Sequence, residues 1–182
     1  MDKNAEMLFF EDPQAYRQPP GDFGVLYLLR RDINSCVETK IRWPGAMAIL
    51  AGIDLLGKFL AGGDDQGFVG GRFRAFVDKY FTPIAPAEVD VLYQLRNSLL
   101  HSFGLYSKDS KGNIYRFQLV YGAGGSLLEQ RGTRLFRIDL ARLHSSFESA
   151  IKQYHCDLSA DPDLQSKFMA MFPMYGAIPI SS

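Results

Sequence analysis

One stretch of this sequence is apolar almost all the way round when it is drawn as a helix. Residues 44–60 begin with Pro44, which suits the first turn of a helix, and they carry only two charged side chains, Asp54 and Lys58. A helix that is apolar on every side must be covered on every side. The stretch therefore predicts a central helix within a bundle. Its charges and its short apolar run argue against a membrane span.

Asp54 is the polar exception inside this stretch, because its neighbours are Ile53, Leu55 and Leu56. A carboxylate in such surroundings must find a partner or bind a proton. It could form a structural ion pair, or it could orient the cation of a functional site. The structural interpretation is favoured, because charged groups are buried mainly where they are paired.

Five more stretches have the apolar spacing of amphipathic helices, with apolar residues three and four positions apart. Asp22 and Asp139 stand at the start of two of them and are candidate N-caps. Together with the central helix, they predict a mainly α fold built as a bundle of four or more helices. The five stretches are residues 22–40, 72–81, 89–103, 139–154 and 161–171.

The periodicity changes to two within residues 106–138. Residues 114–121 alternate between apolar and polar side chains, as expected for a strand with one buried face. Residues 126–130 and 133–138 are candidates for two further strands. We expect a small antiparallel sheet or hairpin of two or three strands, inserted at about residues 106–138 into the helical domain.

The two ends of the chain have weaker patterns. Pro13, Pro19 and Pro20 forbid a long helix near the N-terminus, so residues 1–21 are expected to form an irregular arm. Residues 173–182 are expected to be loosely ordered. The remainder, residues 22–182, is predicted to be a single helical domain.

Two features could be interpreted as nucleotide-binding elements, although a plainer interpretation is favoured for each. The glycine-rich loop 61–71 lacks the Lys-Ser/Thr ending of a phosphate-binding loop, and no strand precedes it, so it is predicted to be a flexible connector. The aromatic residues of stretch 72–81 could stack on bases beside Arg72 and Arg74. Their helical spacing favours core packing instead.

Composition limits the classes of function. The chain has 20 Lys and Arg against 20 Asp and Glu, so any nucleic-acid surface must be local. Its two cysteines, Cys36 and Cys156, are too few for a disulfide framework or a zinc set and are expected to be buried thiols. No cluster has metal-ligand spacing, so neither a metal nor another cofactor is predicted. The N-terminus has no signal-peptide pattern, so a soluble cytoplasmic protein without a membrane partner is expected.

Candidate site residues lie late in the stretch 89–103, within the sequence RNSLLH. Asn97 and His101 are four apart, so they lie one above the other on a helix. Arg96 is about 100° round the helix, but its long side chain could reach the same groove. A cation, a carboxamide and an imidazole that converge in this way suit a phosphodiester. With twelve Arg and three His in the chain, one chosen Arg-to-His spacing is expected about 0.2 times by chance.

A second Arg and His, Arg137 and His144, also lie close together in sequence. That pair spans a predicted strand-to-helix junction, and the Arg is followed by an apolar residue. It is therefore interpreted as a coincidence, with His144 and His155 as surface or tail residues.

The helical pattern, with Arg96-Asn97 and His101 late in the predicted helix 89–103, resembles the HEPN (higher eukaryotes and prokaryotes nucleotide-binding) superfamily. The specific match is the R-x4-H motif with a polar residue after the Arg, and the broader match covers residues 22–154. The predicted inserted sheet departs from a plain HEPN bundle. Phe103 also departs, because members paired with nucleotidyltransferase antitoxins have Tyr at that position.

This resemblance implies a metal-independent endoribonuclease, a toxin or a defence effector, whose site forms between two copies of the chain. His101 would transfer a proton, Arg96 would stabilise the phosphorane, and Asn97 would orient the His or bind phosphate. One His cannot readily make both proton transfers, so a two-fold homodimer is expected. RNA or nucleotide and an antitoxin protein are the other expected partners.

Two further classes of function stay open. A non-catalytic HEPN-like module could use the same groove to bind nucleotide or RNA or to assemble with a protein. A helical interaction protein with no nucleic-acid role is the third class. The balanced net charge favours these two classes, whereas the intact Arg-Asn-His set favours the ribonuclease.

Overall fold

The computed structural model describes residues 2–11, 22–65, 67–122 and 125–179, and the structural statements below concern these residues. Most of them are helical, so the prediction of a mainly α fold is confirmed. The helices are Lys3–Phe10 (α1), Val25–Glu38 (α2), Arg42–Ala61 (α3), Val69–Tyr80 (α4), Pro86–Ser102 (α5), Leu140–Ala160 (α6) and Pro162–Tyr175 (α7). The strands are Asp22–Gly24 (β1), Tyr106–Lys108 (β2), Ile114–Val120 (β3), Leu128–Gly132 (β4), Leu135–Asp139 (β5) and Ala177–Pro179 (β6).

Helix α3 is the central helix, as its all-round apolar pattern predicts. It contacts α2, α4, α5, α6 and α7. Leu50 and Ile53 are fully buried, and truncation of either to Ala should cost about 2–5 kcal/mol. A Cβ added at Gly52 would lie 2.4 Å from Cζ of Phe147, so this glycine lets α6 approach closely. The packing of α3 therefore sets the positions of the surrounding helices.

The same helix is long and apolar enough to cross a membrane when only length and composition are considered. Its mean hydropathy over an 18-residue window is 1.4, and half of that window is buried inside the protein. Five helices pack around it, and Asp54 within it forms an ion pair with a neighbouring helix. We therefore interpret α3 as the core helix of a soluble fold.

The first residues of the chain form a docked helix, so the prediction of an irregular arm is wrong for residues 3–10. Asp2 caps α1 by accepting a hydrogen bond from the Asn4 amide at 2.9 Å. Phe9 is fully buried, and its ring lies 4.5 Å from that of Phe59. A short helix is compatible with the prolines, because it ends before them. Burial of its aromatic side chains stabilises a helix that would be too short to be stable alone. Residues 12–21 lie outside the described residues.

Strands β1 and β6 join the two ends of the described chain. They pair antiparallel, with Phe23 opposite Ile178. The expectation of a loosely ordered tail is therefore wrong for residues 173–179, because α7 continues through Pro173 to Tyr175 and β6 follows. Asp22 lies in β1, so it does not cap α2. The N-cap of that helix is Gly24.

The inserted sheet has four strands in the order β2-β3-β5-β4. The β2–β3 and β4–β5 pairs are antiparallel, but β3 and β5 run parallel, with Phe117 opposite Phe136. The prediction of a purely antiparallel sheet is therefore wrong. The chain leaves β3, passes to the edge as β4, and returns as β5 into the inner place beside β3. The sheet thus becomes mixed.

Four other side chains also bear on the expectations. Asp139 accepts hydrogen bonds from the amides of Ala141 and Arg142, so its predicted role as the cap of α6 is confirmed. Cys36 is half-buried, whereas Cys156 is exposed, so the prediction of a buried thiol is wrong for Cys156. His155 is partly buried and bonds Glu6 of α1 at 2.7 Å. It therefore ties α6 to the N-terminal helix.

Candidate functional site

The candidate site is at the C-terminal end of α5, where one side of the helix is buried and the last turn reaches the surface. Leu92, Leu95 and Leu99 are fully buried in the core. The helix ends at Ser102, and Phe103 takes a left-handed conformation, with φ 47° and ψ 38°. This geometry holds His101 in the last turn, where its side chain is exposed.

Arg96 is the buried member of the predicted set, with 9% of its surface exposed. Its Nε donates a hydrogen bond to Oδ2 of Asp54 at 2.8 Å, across the interface between α5 and α3. The guanidinium is therefore fixed from behind by a carboxylate of the central helix. Its Nη2 makes no hydrogen bond within the described part of the chain.

The same guanidinium contacts both other predicted residues. Its Nη1 donates to Oδ1 of Asn97 at 3.2 Å and is in close contact with Nε2 of His101. Because a guanidinium is always a donor, His101 must accept this hydrogen bond through an unprotonated Nε2. The structure brings Arg96, Asn97 and His101 into one cluster.

Asp54 belongs to this cluster but was not among the predicted site residues. Burial raises the pKa of the Asp54 carboxyl, and the Arg96 charge opposes that rise without cancelling it. Its second oxygen, Oδ1, is buried and has no hydrogen-bond partner among the described residues. Its apolar surroundings in the sequence signalled that it needed a partner. Asp54 forms an ion pair between two helices, and the same ion pair orients Arg96, the cation of the candidate site. The two interpretations of Asp54 are therefore compatible.

The arrangement can bind an oxyanion and move a proton. A phosphate oxygen could take hydrogen bonds from Nη1 and Nη2 of Arg96, whose guanidinium is already oriented, so little reorganisation would be needed. The contact between Nη1 and His101 would then be exchanged for a contact with phosphate. That exchange would release Nε2 of His101, an unprotonated nitrogen able to accept a proton.

The glycine-rich loop after α3 is held by protein contacts. Asp64 accepts hydrogen bonds from Lys58 at 3.0 Å, from Arg72 at 3.1 Å and from the hydroxyl of Tyr175. The hydrogen bond from Tyr175 is the main cause of a lowered pKa for Asp64. These contacts give the loop a structural role. They also place Arg72 in an internal ion pair and away from a base-stacking surface.

No group of three or more His, Cys, Asp or Glu side chains that could hold a metal ion occurs within residues 2–11, 22–65, 67–122 and 125–179. The aromatic side chains of α4 lie in the core, since Phe73 and Phe76 are fully buried and Tyr80 is 4% exposed. The preference for core packing over base stacking is thus confirmed for these residues.

Neither models of protein families, nor curated proteins, nor solved structures gave a match to this chain. The interpretation of the candidate site therefore depends on its own geometry and on the sequence resemblance described above.

Proposed function

We propose that this chain is a HEPN-like, metal-independent endoribonuclease whose site is shared between two copies in a homodimer. The observation that carries the proposal is the arrangement around Arg96. A carboxylate from the central helix holds its guanidinium, which contacts both Asn97 and His101 where α5 reaches the surface. A positioned cation beside an unprotonated imidazole nitrogen is suited to catalysis on a phosphodiester.

The proposed reaction needs no group beyond those in the protein and the RNA. Nε2 of one His101 takes the proton of a ribose 2′-hydroxyl, and the oxygen forms a bond to the adjacent phosphorus. Arg96 stabilises the charge on the phosphorane oxygens. The bond from phosphorus to the 5′ oxygen breaks, and that oxygen takes a proton from the other copy of His101, which must be protonated when the reaction begins. The products are a 2′,3′-cyclic phosphate and a 5′-hydroxyl.

The second proton transfer is the reason for the proposed dimer. One imidazole cannot accept the first proton and donate the second at the same time, so a two-fold partner would supply the other His101. The side chain of His101 is exposed and can be reached by a second chain. Two large side chains near it in sequence are also exposed, Phe103 at 71% and Tyr106 at 49%. Exposed aromatic groups of this kind are common at protein interfaces.

The biological setting is proposed from the resemblance alone. HEPN-like ribonucleases with an intact motif act as toxins or defence effectors, so we propose a cytoplasmic protein of that kind. An antitoxin protein would then be a further partner. Because the net charge is neutral, any RNA-binding surface must be local.

A non-catalytic HEPN-like module for binding nucleotide or RNA, or for protein assembly, is the second candidate function. The contact between Arg96 and His101 favours it, because Nε2 of the imidazole is occupied in this structure. If bound phosphate does not displace that contact, His101 cannot accept a proton through Nε2. The cluster would then bind an anion without cutting it.

The test is RNA cleavage by the purified protein in the presence of EDTA, with the product ends identified by mass spectrometry. The proposal expects cleavage with 2′,3′-cyclic phosphate ends. His101→Ala should lower the cleavage rate about 10²–10⁴-fold, because it removes a proton-transfer group. His155→Ala, at a histidine that bonds Glu6 on another face, is the matched control and should retain cleavage.

Three outcomes separate the candidates. RNA binding without cleavage would select the non-catalytic module. Cleavage that requires a divalent metal, or that survives His101→Ala, would contradict the proposed site. Neither binding nor cleavage would favour a helical interaction protein with no nucleic-acid role.

A further inference from the structure

A polar groove lies beside the candidate site, between α4, α5 and the β2–β3 hairpin. Its volume is about 400 Å³, which is in the range of pockets that hold small ligands. Asn97 forms part of its wall and also accepts a hydrogen bond from Arg96. Asn97 is therefore shared between the groove and the Arg96–His101 cluster.

The two acidic residues of the groove are occupied by protein contacts. Asp90 accepts a hydrogen bond from Nε of Arg74 at 2.6 Å. Asp109 accepts hydrogen bonds from the amides of Lys111 and Asn113 and from the Asn113 side chain, each within 2.9 Å. The hydrogen bonds from Asn113 lower the pKa of the Asp109 carboxyl. The charge of Asp90 is thus paired with that of Arg74, whereas Asp109 keeps its negative charge, because its hydrogen-bond donors are neutral.

Two lysines supply the positive charges of the groove that are outside the Arg74–Asp90 ion pair. Lys108 lies on β2 and Lys111 in the turn that follows, and both are exposed. Neither forms an ion pair with any residue in the described part of the chain. The groove is lined by three basic side chains and two carboxylates, so its net charge is positive. This charge suits an anionic ligand.

The groove also presents flat groups on which a base could stack. The guanidinium of Arg74 lies 3.9 Å from the ring centre of Tyr93, and its side chain is 37% exposed. The ring of Tyr115 is stacked against Phe136, with centres 5.8 Å apart. Aromatic rings and guanidinium planes are the surfaces that bind unpaired bases. Cations and stacking planes together distinguish a nucleic-acid strand from a simple anion.

From this combination we infer that the groove holds single-stranded RNA, with the phosphates against Lys108 and Lys111 and a base near Arg74 and Tyr115. The inference rests on the proposed function, because it places the nucleotide next to the phosphate that is cut. Asn97 would lie between the bound nucleotide and that phosphate. The groove would thus select unpaired strands over duplexes, since only an unpaired base can leave its stack to enter.

The test measures binding of a fluorescent single-stranded RNA oligonucleotide by anisotropy, in the His101→Ala protein so that the RNA stays intact. Lys108→Ala/Lys111→Ala should raise the Kd about tenfold or more at low salt. The slope of log Kd against log salt should also fall by about 1.4, or about 0.7 for each lost phosphate contact. The matched control is Lys3→Ala/Lys152→Ala, two exposed lysines outside the groove, which should change the Kd less than about twofold.

Cleavage by proteins with an intact His101 separates this inference from the proposed function. Lys108→Ala/Lys111→Ala should raise KM while kcat stays close to that of the parent. If the parent cuts RNA and the groove variant binds and cuts as the control does, the groove inference is overturned and the proposed function stands. If the parent binds RNA through these lysines without cutting it, the groove is supported and the nuclease is not. An equal loss in both lysine pairs, or no binding at low salt, would overturn the inference.

Discussion

The Arg96–His101 and Arg137–His144 pairs are both close in sequence, but only the first of these two makes a cluster. Arg96 and His101 share α5, and their side chains are in contact. Arg137 is on β5 and His144 is on α6, and Nε of that Arg and Nε2 of that His are both buried without a hydrogen-bond partner among the described residues. Residues on one helix keep a fixed angular relation. Across a strand-to-helix junction, sequence spacing carries no such information.

The carboxylates behind the two arginines differ as well. The side chain of Asp54 is 16% exposed and bonds Arg96 at 2.8 Å. Glu129 is 41% exposed and is shared between Arg131 at 2.9 Å and Arg137 at 3.6 Å. A mostly buried carboxylate paired with one arginine fixes the guanidinium, whereas an exposed carboxylate shared by two arginines leaves each more freedom. Preorganisation of this kind is what a catalytic cation needs.

The largest expected difference between the pairs is in reaction rate. His101→Ala should lower RNA cleavage about 10²–10⁴-fold, whereas His144→Ala should leave the rate within about twofold of the parent. Initial rates in EDTA give the comparison, with circular dichroism to show that both variants are folded. An equal loss in the two variants would mean that the contact between Arg96 and His101 has no special catalytic value.

The next difference is in stability. Arg96→Ala leaves the carboxylate of Asp54 buried without its cation, so the free energy of unfolding should fall by about 3–5 kcal/mol. Arg137→Ala removes a weaker and more exposed pair and should cost about 1 kcal/mol or less. Urea denaturation measures both variants.

A double variant shows whether the buried charge is the cause. Asp54→Asn/Arg96→Ala removes both charges with the same loss of packing and should recover part of the stability that Arg96→Ala loses. If the double variant is no more stable than Arg96→Ala, the loss comes from packing rather than from an uncompensated carboxylate.

The pH dependence of stability isolates Asp54. Its pKa in the folded protein is raised above the ordinary value of 3.8. At pH values between 3.8 and that raised pKa, the folded state therefore binds more of this proton than the unfolded state does. The contribution of Asp54 to stability should therefore fall as pH rises through that window, by at most about 1.4 kcal/mol per pH unit. Asp54→Asn cannot titrate, so its unfolding free energy should fall less steeply in the same window. Parallel curves for the two proteins would contradict the raised pKa.

The smallest expected effect is the change in stability when a backbone position with positive φ, one from each region, is replaced by glycine. Phe103 has φ 47° at the end of α5, and Arg134 has φ 88° in the turn between β4 and β5. Glycine at either position relieves left-handed strain, but it also makes the unfolded chain more flexible, so the net gain should be at most about 1 kcal/mol. Only Phe103→Gly should weaken the dimer, as sedimentation equilibrium would show. Equal dimerisation by the two variants would remove Phe103 from the interface.

Much of the bundle could be predicted from side-chain periodicity. The all-round apolar pattern of residues 44–60 correctly predicted a central helix, and spacing on one helix correctly brought Asn97 and His101 to one side. The need of Asp54 for a partner was also predictable, because a carboxylate among apolar neighbours must be paired or protonated. Its partner could not be predicted, since the pairing with Arg96 depends on how α3 and α5 pack.

The order of the strands in the sheet depends on their composition, which alternation alone does not reveal. Strand β4 has the sequence LEQRG, whose polar residues suit an edge, whereas β5 has LFRID and contains the fully buried Ile138. If the more apolar strand of the β4–β5 hairpin takes the inner place, β5 lies beside β3 and runs parallel to it. Period-two spacing gives the strands but not their order.

The ends of the chain could not be predicted from local pattern. Helix α1 is only eight residues long, and an isolated helix of that length is unstable in water. Its burial of Phe9 and Phe10 against the bundle supplies the stability, and that contact joins residues far apart in sequence. The pairing of β1 with β6 is likewise a contact between the two ends, so neither strand shows a strong signal alone.

The central claim is that two copies of His101 serve one site, and mixing subunits tests it most directly. Inactive His101→Ala protein is added in tenfold excess to the parent, and energy transfer between dyes on the exposed Cys156 shows when subunits have exchanged. If both histidines are needed, cleavage per parent chain should fall about elevenfold, as random pairing requires. The same excess of His155→Ala protein, which retains the site, should not inhibit the parent. Cleavage per parent chain that is unchanged by exchanged His101→Ala protein would contradict the shared site.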